Sequence, residues 1–256
     1  MKIHPTAVIH KSAKLADGVE VGPYTFIEEN ASIGKGTQIG THCFIGAFTT
    51  IGRHNRIFTG AIVGSITQDL KFKGERSFLE VGDNNIIREY VTINRSTSRD
   101  KATRVGNENL FMAYSHIAHD CVIGDGIIMA NCGTLGGHVT LEDKVIIGGL
   151  SGVHQFARIG KYVIIGGCSK VVQDVPPFSV ADGHPAKIRG VNVIGLKRAK
   201  FTAKKINSIK KANKILFFSG LSTANAVKKV KKEISPSEEI DYLLSFVEDS
   251  KRGLSK

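Results

Sequence analysis

The stretch Ile27-Glu28-Glu29-Asn30-Ala31-Ser32-Ile33-Gly34-Lys35-Gly36-Thr37-Gln38-Ile39-Gly40-Thr41-His42-Cys43-Phe44-Ile45-Gly46 carries an isoleucine at every sixth position. Extended in both directions, the same step runs from Ile3 to Val171. Of its 29 register positions 26 are apolar, the exceptions being Asp69, Glu75 and Arg99. A helix repeats its faces every 3.6 residues and does not give a strict period of six. Short strands joined by tight corners do. One aliphatic side chain per hexad then points into a narrow core, and three hexads close one triangular coil. Stacked coils pair as parallel strands about 4.8 Å apart. Glycine follows the aliphatic anchor at 13 hexads, which suggests backbone angles closed to other residues at that point. Four residues past the anchor the side chain is small or β-branched, as at Ala7, Ala13, Thr25, Thr37, Thr49 and Ser151. The fold class is therefore mainly β, a β-helix of hexapeptide repeats. Roughly ten coils fit between residues 1 and 190, a prism about 50 Å long. The general crossover rule favours right-handed connections.

Two polar stretches, Ser65 to Phe78 and Ser96 to Thr103, contain the three exceptions and keep the six-fold phase. They read as external loops near residues 64–80 and 95–104, and loops on a rigid scaffold often carry function. The hexads stop near Pro176-Pro177. Residues 1–192 thus form the repeat domain, and residues 193–256 change character. Leu196, Ala199, Ala203, Ile206, Ile209 and Leu216 recur at helical spacing. Thr202 can cap one helix and Gly220 end it; Ser222 to Ile234 reads as a second, and Glu238 to Lys251 as a third.

The 256 residues carry 35 Lys and Arg against 23 Asp and Glu, a net +12, of which +9 falls between Val193 and Lys256 (15 against 6). A basic helical tail suits an acidic partner or a phosphate-bearing ligand. Nucleic acid is disfavoured, because almost no aromatic residue is interleaved among the lysines to stack bases. No apolar run approaches a membrane span, and the N-terminus has no apolar signal core. No integral membrane segment and a cytoplasmic location are the expectations. The four cysteines (Cys43, Cys121, Cys132 and Cys168) show no paired spacing and read as free thiols.

Chemistry concentrates in the later coils. Adding 18 to 119 reaches Gly137, and adding 36 reaches Gln155, so His119, Gly137-His138 and His154-Gln155 share one edge over three coils. A neutral imidazole there can act as a general base. Asp120 beside it can orient the ring and stabilise its protonated form. Gly137 can turn its N–H to a developing oxyanion. These are the parts of an acyl-transfer site. No Ser or Cys sits in a nucleophile elbow, which argues for direct attack by the substrate. Two other readings stay open at this level: zinc held by His116, His119 and a third histidine, as in a trimeric enzyme of the carbonic anhydrase type, and a non-catalytic solenoid.

His116-Ile117-Ala118-His119-Asp120, Gly136-Gly137-His138-Val139, Val153-His154-Gln155-Phe156, Gly166-Gly167-Cys168-Ser169 and Gln173-Asp174-Val175-Pro176-Pro177 together resemble the bacterial UDP-N-acetylglucosamine O-acyltransferase family of the hexapeptide-repeat superfamily. Gln68-Asp69-Leu70-Lys71, Gly190-Val191-Asn192 and Gly195-Leu196-Lys197-Arg198 extend the likeness over almost the whole chain. The resemblance implies a left-handed β-helix and a homotrimer with sites between subunits. It implies transfer of an (R)-3-hydroxyacyl group from acyl carrier protein to the glucosamine 3-hydroxyl of UDP-N-acetylglucosamine, the step that opens lipid A synthesis, with no cofactor and no metal. By the same carry-over His119 is the base, Asp120 its orienting partner and Gly137 the oxyanion donor. His116, His138, His154 and Gln155 line the cleft. Gln68, Asp69 and Lys71 hold the sugar and acyl groups, Asn192 and Arg198 contact the uridine diphosphate, and Gly167 stands at the acyl-length position. The chain departs from the family pattern at Ile194 and Ala199, where close relatives carry Glu and Arg. Some related enzymes acylate a 3-amino sugar instead.

Overall fold

Each hexad becomes a two-residue strand and a corner, and the corners decide the shape. The computed structural model describes all 256 residues. Lys2–Ile3, Glu20–Val21 and Gln38–Ile39 are successive strands of one face; Val8–Ile9 and Lys14–Leu15 begin the other two. The three faces are sheets of 11, 9 and 8 strands, with every pairing between coils parallel. The coil is the left-handed parallel β-helix that the motifs imply, not the right-handed form of the general rule. That rule rests on strand twist being passed to the crossover, and two-residue strands carry little twist to pass.

The anchors fill the prism. Ile27, Ile45, Ile87, Ile93, Phe111, Ile117, Leu135 and Ile147 are completely buried within one cluster of 39 core residues. Each such side chain contributes about 2 kcal/mol by leaving water. Thr25, Thr37 and Ser151 are buried as well, and their hydroxyls donate to the carbonyls of Gly40, Gly52 and Gly166 in the next coil, at 2.7, 2.9 and 2.8 Å. Where Asn replaces them, a polar ladder forms. Asn55 Oδ1 accepts from the Asn85 N–H (2.9 Å), Asn85 Oδ1 from Asn109 (3.0 Å), and Asn109 Oδ1 from Ile127 (2.7 Å).

The glycines after the anchors serve a different purpose from the expected one. Nearly all have ordinary negative φ. They are glycine because a Cβ would strike the coil above, 2.4 Å from the Gly52 oxygen at Gly34 and 2.0 Å from the Gly64 oxygen at Gly46. The left-handed backbone conformation occurs two residues later. It is adopted mostly by non-glycine corner residues, among them His54, Asn84, Asp120, His138 and Phe156.

Three hexads separate paired strands, as in Lys2 with Glu20 and Glu20 with Gln38, except at two places. Ile62 pairs with Thr92 and Phe78 with Ala102, so two extra hexads and then one are thrust out of the prism between the strands. Both excursions leave from one edge, the row that carries Asn30, Phe48, Asp120, His138 and Phe156. Their roots are tied together: the Arg95 N–H donates to the Ser65 carbonyl (3.0 Å), and Asn94 Nδ2 donates to Ser65 Oγ (2.8 Å).

The hexads end in a hairpin that the pattern did not announce. Ser179–Gly183 joins the first face and pairs antiparallel with Ala186–Val191. Four helices follow: α1 (Val193–Arg198), α2 (Ala203–Phe218), α3 (Thr223–Glu233) and α4 (Glu238–Asp249). Thr202 caps α2 as expected, its Oγ1 accepting from the Lys205 N–H, and Ser222 caps α3, its Oγ accepting from the Asn225 N–H. Leu196, Ile206, Ile209, Leu216, Val230, Leu243 and Phe246 form a second core that closes over Phe178. No helix is long and apolar enough to cross a membrane.

Candidate active site

His116 and Ile117 form one two-residue strand, so one side chain faces out and the other in. Ile117 is fully buried, while the His116 ring lies on the outer face with Nδ1 2.7 Å from Thr92 Oγ1. Burial, with the His119 charge adding to it, pushes the His116 imidazole below its ordinary value, which favours the neutral ring. The chain then turns the corner through His119 and Asp120, the latter at φ 59°.

His119 Nδ1 lies 2.9 Å from Asp120 Oδ2 in a setting where both side chains are largely covered. Asp120 is held from three sides. Ser96 Oγ donates to Oδ1, Thr97 Oγ1 donates to Oδ2 at 2.6 Å, and the Thr97 N–H adds a third contact at 3.2 Å. Burial alone would raise this carboxyl, but the hydrogen bonds from Ser96, Thr97 and His119 outweigh it and hold it down at about 2. A carboxylate that stays ionised fixes the proton on His119 Nδ1 and leaves Nε2 with its lone pair.

Gly137 lies one coil on, beneath that ring. A Cβ built there would fall 2.5 Å from His119 Cε1 and 2.6 Å from Nε2. Elsewhere the N–H two residues past an anchor is often capped from the adjoining coil, Arg53 by Asp83 Oδ1 (2.6 Å) and Asn107 by Asp125 Oδ1 (2.6 Å). The Gly137 N–H donates to nothing within the chain. A basic nitrogen and a free amide donor therefore stand side by side.

His138 packs edge-on against His119 (5.2 Å between centroids) and stacks flat on Phe156 (4.5 Å). Its Nε2 is 3.7 Å from Asp120 Oδ2. His154 and Gln155 are exposed on the next coil, and with Gly136, Gly137 and Gly152 they line a groove that runs along the outer face of this sheet. A larger cavity lies elsewhere, between Asp125, Tyr162 and Tyr242, and holds none of these histidines. Within one chain the three-histidine zinc arrangement does not form. The one group of ligand atoms close enough to share an ion is His119, Asp120 and His138, and Asp120 Oδ2 is already committed to His119 and Thr97.

Within one chain the other expected residues stand apart from this edge. Asp69 organises its own loop, its Oδ1 accepting from the Lys71 N–H at 2.9 Å and its carbonyl from Phe72 at 3.0 Å. Gln68 and Lys71 are exposed and Leu70 is fully so. Asn192 is buried as the cap of α1, with Oδ1 accepting from the Gly195 N–H (2.9 Å) and Nδ2 donating to the Tyr162 carbonyl (2.8 Å). Arg198 is exposed at the end of that helix. A Cβ on Gly167 would meet only the Gly149 oxygen, at 3.5 Å, so packing within the chain does not require a glycine there. Sequence reasoning missed Ser96, Thr97 and Phe156. The first two had a signal, since the second excursion begins one enlarged coil before Asp120.

Residues 174–255 match the family model described as UDP-N-acetylglucosamine O-acyltransferase, domain 2, and residues 21–53 match the bacterial transferase hexapeptide model. A curated relative from Thiobacillus denitrificans, an acyl-[acyl-carrier-protein]–UDP-N-acetylglucosamine O-acyltransferase, is 49% identical over 98% of both chains. The chain belongs to the UDP-N-acetylglucosamine O-acyltransferase family. An Aliivibrio fischeri relative of the same name is 52% identical, over 99% of this chain and 97% of its own. Among solved UDP-N-acetylglucosamine acyltransferases, the one from Bacteroides fragilis superposes with a TM-score of 0.97 at 42% identity, covering 99% of each chain. The one from Acinetobacter baumannii does so at 0.95 and 43%, with the same coverage. Fold class and family are those that the hexads and histidine motifs pointed to, and membership makes the chain an acyltransferase.

Proposed function

We propose that the enzyme moves an (R)-3-hydroxyacyl group from acyl carrier protein to the glucosamine 3-hydroxyl of UDP-N-acetylglucosamine, the first step of lipid A synthesis, in the cytoplasm. The observation that carries the mechanism is the pairing of His119 Nε2 with the uncapped Gly137 N–H on one corner. His119 takes the proton of the sugar hydroxyl as its oxygen forms a bond to the thioester carbonyl carbon. The carbonyl oxygen gains the charge and meets the Gly137 N–H. Collapse breaks the carbon–sulfur bond, and the proton on His119 passes to the departing thiol. Asp120, ionised throughout, balances the imidazolium that exists between the two transfers.

The remaining residues enter through a homotrimer. Ile86, Leu110, Ile128, Ile146 and Ile164 form an apolar row on the outside of the first face, one per coil, and an outward row of that kind calls for a covering surface. Packing it against the groove face of a second copy gives the exposed loop of Gln68, Asp69 and Lys71, and Arg198 with Asn192, a substrate to hold between subunits. The acyl chain would run along the groove towards Gly167.

The test is acyl transfer from 3-hydroxyacyl carrier protein to UDP-N-acetylglucosamine by the wild type and by His119→Ala. We expect robust wild-type activity and a loss of ~10²–10⁴-fold in the variant. Activity that survives the substitution would remove His119 from the role of base.

A further inference from the structure

The chain's last residues return to the site edge. After α4 the backbone doubles back and lays Leu254 as a parallel bridge beside Asp174, one coil beyond Phe156. The Asp174 N–H donates to the Gly253 carbonyl (3.0 Å), and the Ser255 N–H donates to the Asp174 carbonyl (2.9 Å). Ser250 Oγ donates to Asp174 Oδ2 (2.7 Å), and Leu254 and Ser255 are buried. Gly253 has φ +74°, and a Cβ on it would press within 2.9 Å of Gln173 Nε2. This strap is thus fixed at both ends and shaped to hold the residue before it.

That residue is Arg252. Its Nη2 lies 3.2 Å from His154 Nδ1 and 3.5 Å from the Val172 carbonyl. His154 Nδ1 also lies 3.2 Å from the Gln155 carbonyl. The two neighbours make opposite demands. A guanidinium only donates, so it requires a lone pair on Nδ1, whereas a carbonyl only accepts and requires a proton there. With Arg252 in place Nδ1 is the acceptor and the ring proton sits on Nε2. With Arg252 gone the Gln155 carbonyl claims the proton, and Nε2 becomes a bare lone pair.

We infer that Arg252 is a positioning residue of the acyl-transfer site: the C-terminal strap sets the tautomer of His154 and so makes its Nε2–H a donor for an acceptor oxygen of the bound substrate. The inference rests on the placing of His154 in the cleft, and its two halves are tested separately. Selective ¹⁵N labelling of histidine in the full-length enzyme, with and without Arg252→Ala, reads the tautomer directly. We expect the His154 proton to move from Nε2 to Nδ1 in the variant and to stay on Nε2 in Arg252→Lys. A wild-type ring protonated on Nδ1, or one unmoved by Arg252→Ala, overturns the inference whatever the activity. The kinetic half is a double-mutant cycle with His154→Ala. Arg252→Ala should lower kcat/KM about tenfold in the wild type and change nothing further once His154 is absent. Losses that simply add would make Arg252 a structural residue acting elsewhere. If His154→Ala alone is without effect while the tautomer still follows Arg252, the strap controls the ring but His154 has no part in the reaction, and it is the cleft assignment that falls.

Discussion

Gly137 sits directly beneath the His119 imidazole, with the position of its missing Cβ 2.5 Å from Cε1. The contact is with a side chain and not with backbone, so a methyl group there moves the ring and leaves the coil intact. Gly137→Ala should therefore melt within about 1 kcal/mol of the wild type yet lose about 10²-fold in kcat, because the base and the oxyanion donor are displaced together. Comparing thermal unfolding with turnover checks this. A variant that keeps its turnover would show that the alignment of ring and amide is not needed.

Asp120 ties the site to stability. Its carboxyl is lowered on folding from 3.8 to about 2, so the folded state favours the charged form. The resulting stabilisation is complete well above pH 4 and disappears as pH falls towards 2. By linkage it is worth about 2 kcal/mol at neutral pH. Asp120→Asn should lose that amount in denaturant unfolding at pH 7, and the gap between wild type and variant should narrow steadily below pH 4. A pH-independent gap would mean that the substitution acts through packing rather than through the charge.

On α2, Lys210, Lys211 and Lys214 are exposed and form no ion pair, which leaves their charge free for an acidic carrier. Reversing all three to Glu should raise the KM for the acylated carrier about tenfold, weaken its dependence on ionic strength and leave kcat alone. Salt titration of both proteins gives the answer. A KM that is flat across ionic strength in the wild type would dismiss this helix as the docking face.

The repeat domain was legible because its signal is redundant, with 26 of 29 anchors telling the same story. The reason for its glycines was not. Their need for close approach appears only when one coil is laid on another, and the corner conformation falls not only to Asp120 and His138 but also to bulky residues such as Tyr114, Leu150 and Phe156, which ordinary rules do not place there. The histidine edge could be found by adding 18. Ser96 and Thr97 left a weaker trace: they open the second polar stretch, but an inserted hexad hides the spacing that brings them to Asp120. The last helix stops at Asp249, short of the expected Lys251, where Ser250 turns aside to Asp174. Long-range contacts of that kind leave no local trace. The hairpin from Ser179 to Val191 escaped because it follows the prolines at which the six-residue rhythm is lost.

The asparagine ladder bears on how such a molecule avoids assembling wrongly. Every hexad resembles the next, so a growing solenoid has many nearly equivalent ways to seat a new coil, and a slip by one coil would keep the aliphatic core filled. Asn55, Asn85 and Asn109 are spaced by 30 and then by 24, the two irregular intervals of the chain. At a slipped seat Asn85 Nδ2 would lose Asn55 Oδ1, the one side-chain partner within the ladder (3.0 Å), at a cost of about 1–3 kcal/mol. The Asn55–Asn85 pair works as a place mark across the longer of the two intervals, where counting residues would fail. The site histidines all lie in coils beyond that mark, and their arrangement inherits its accuracy from it.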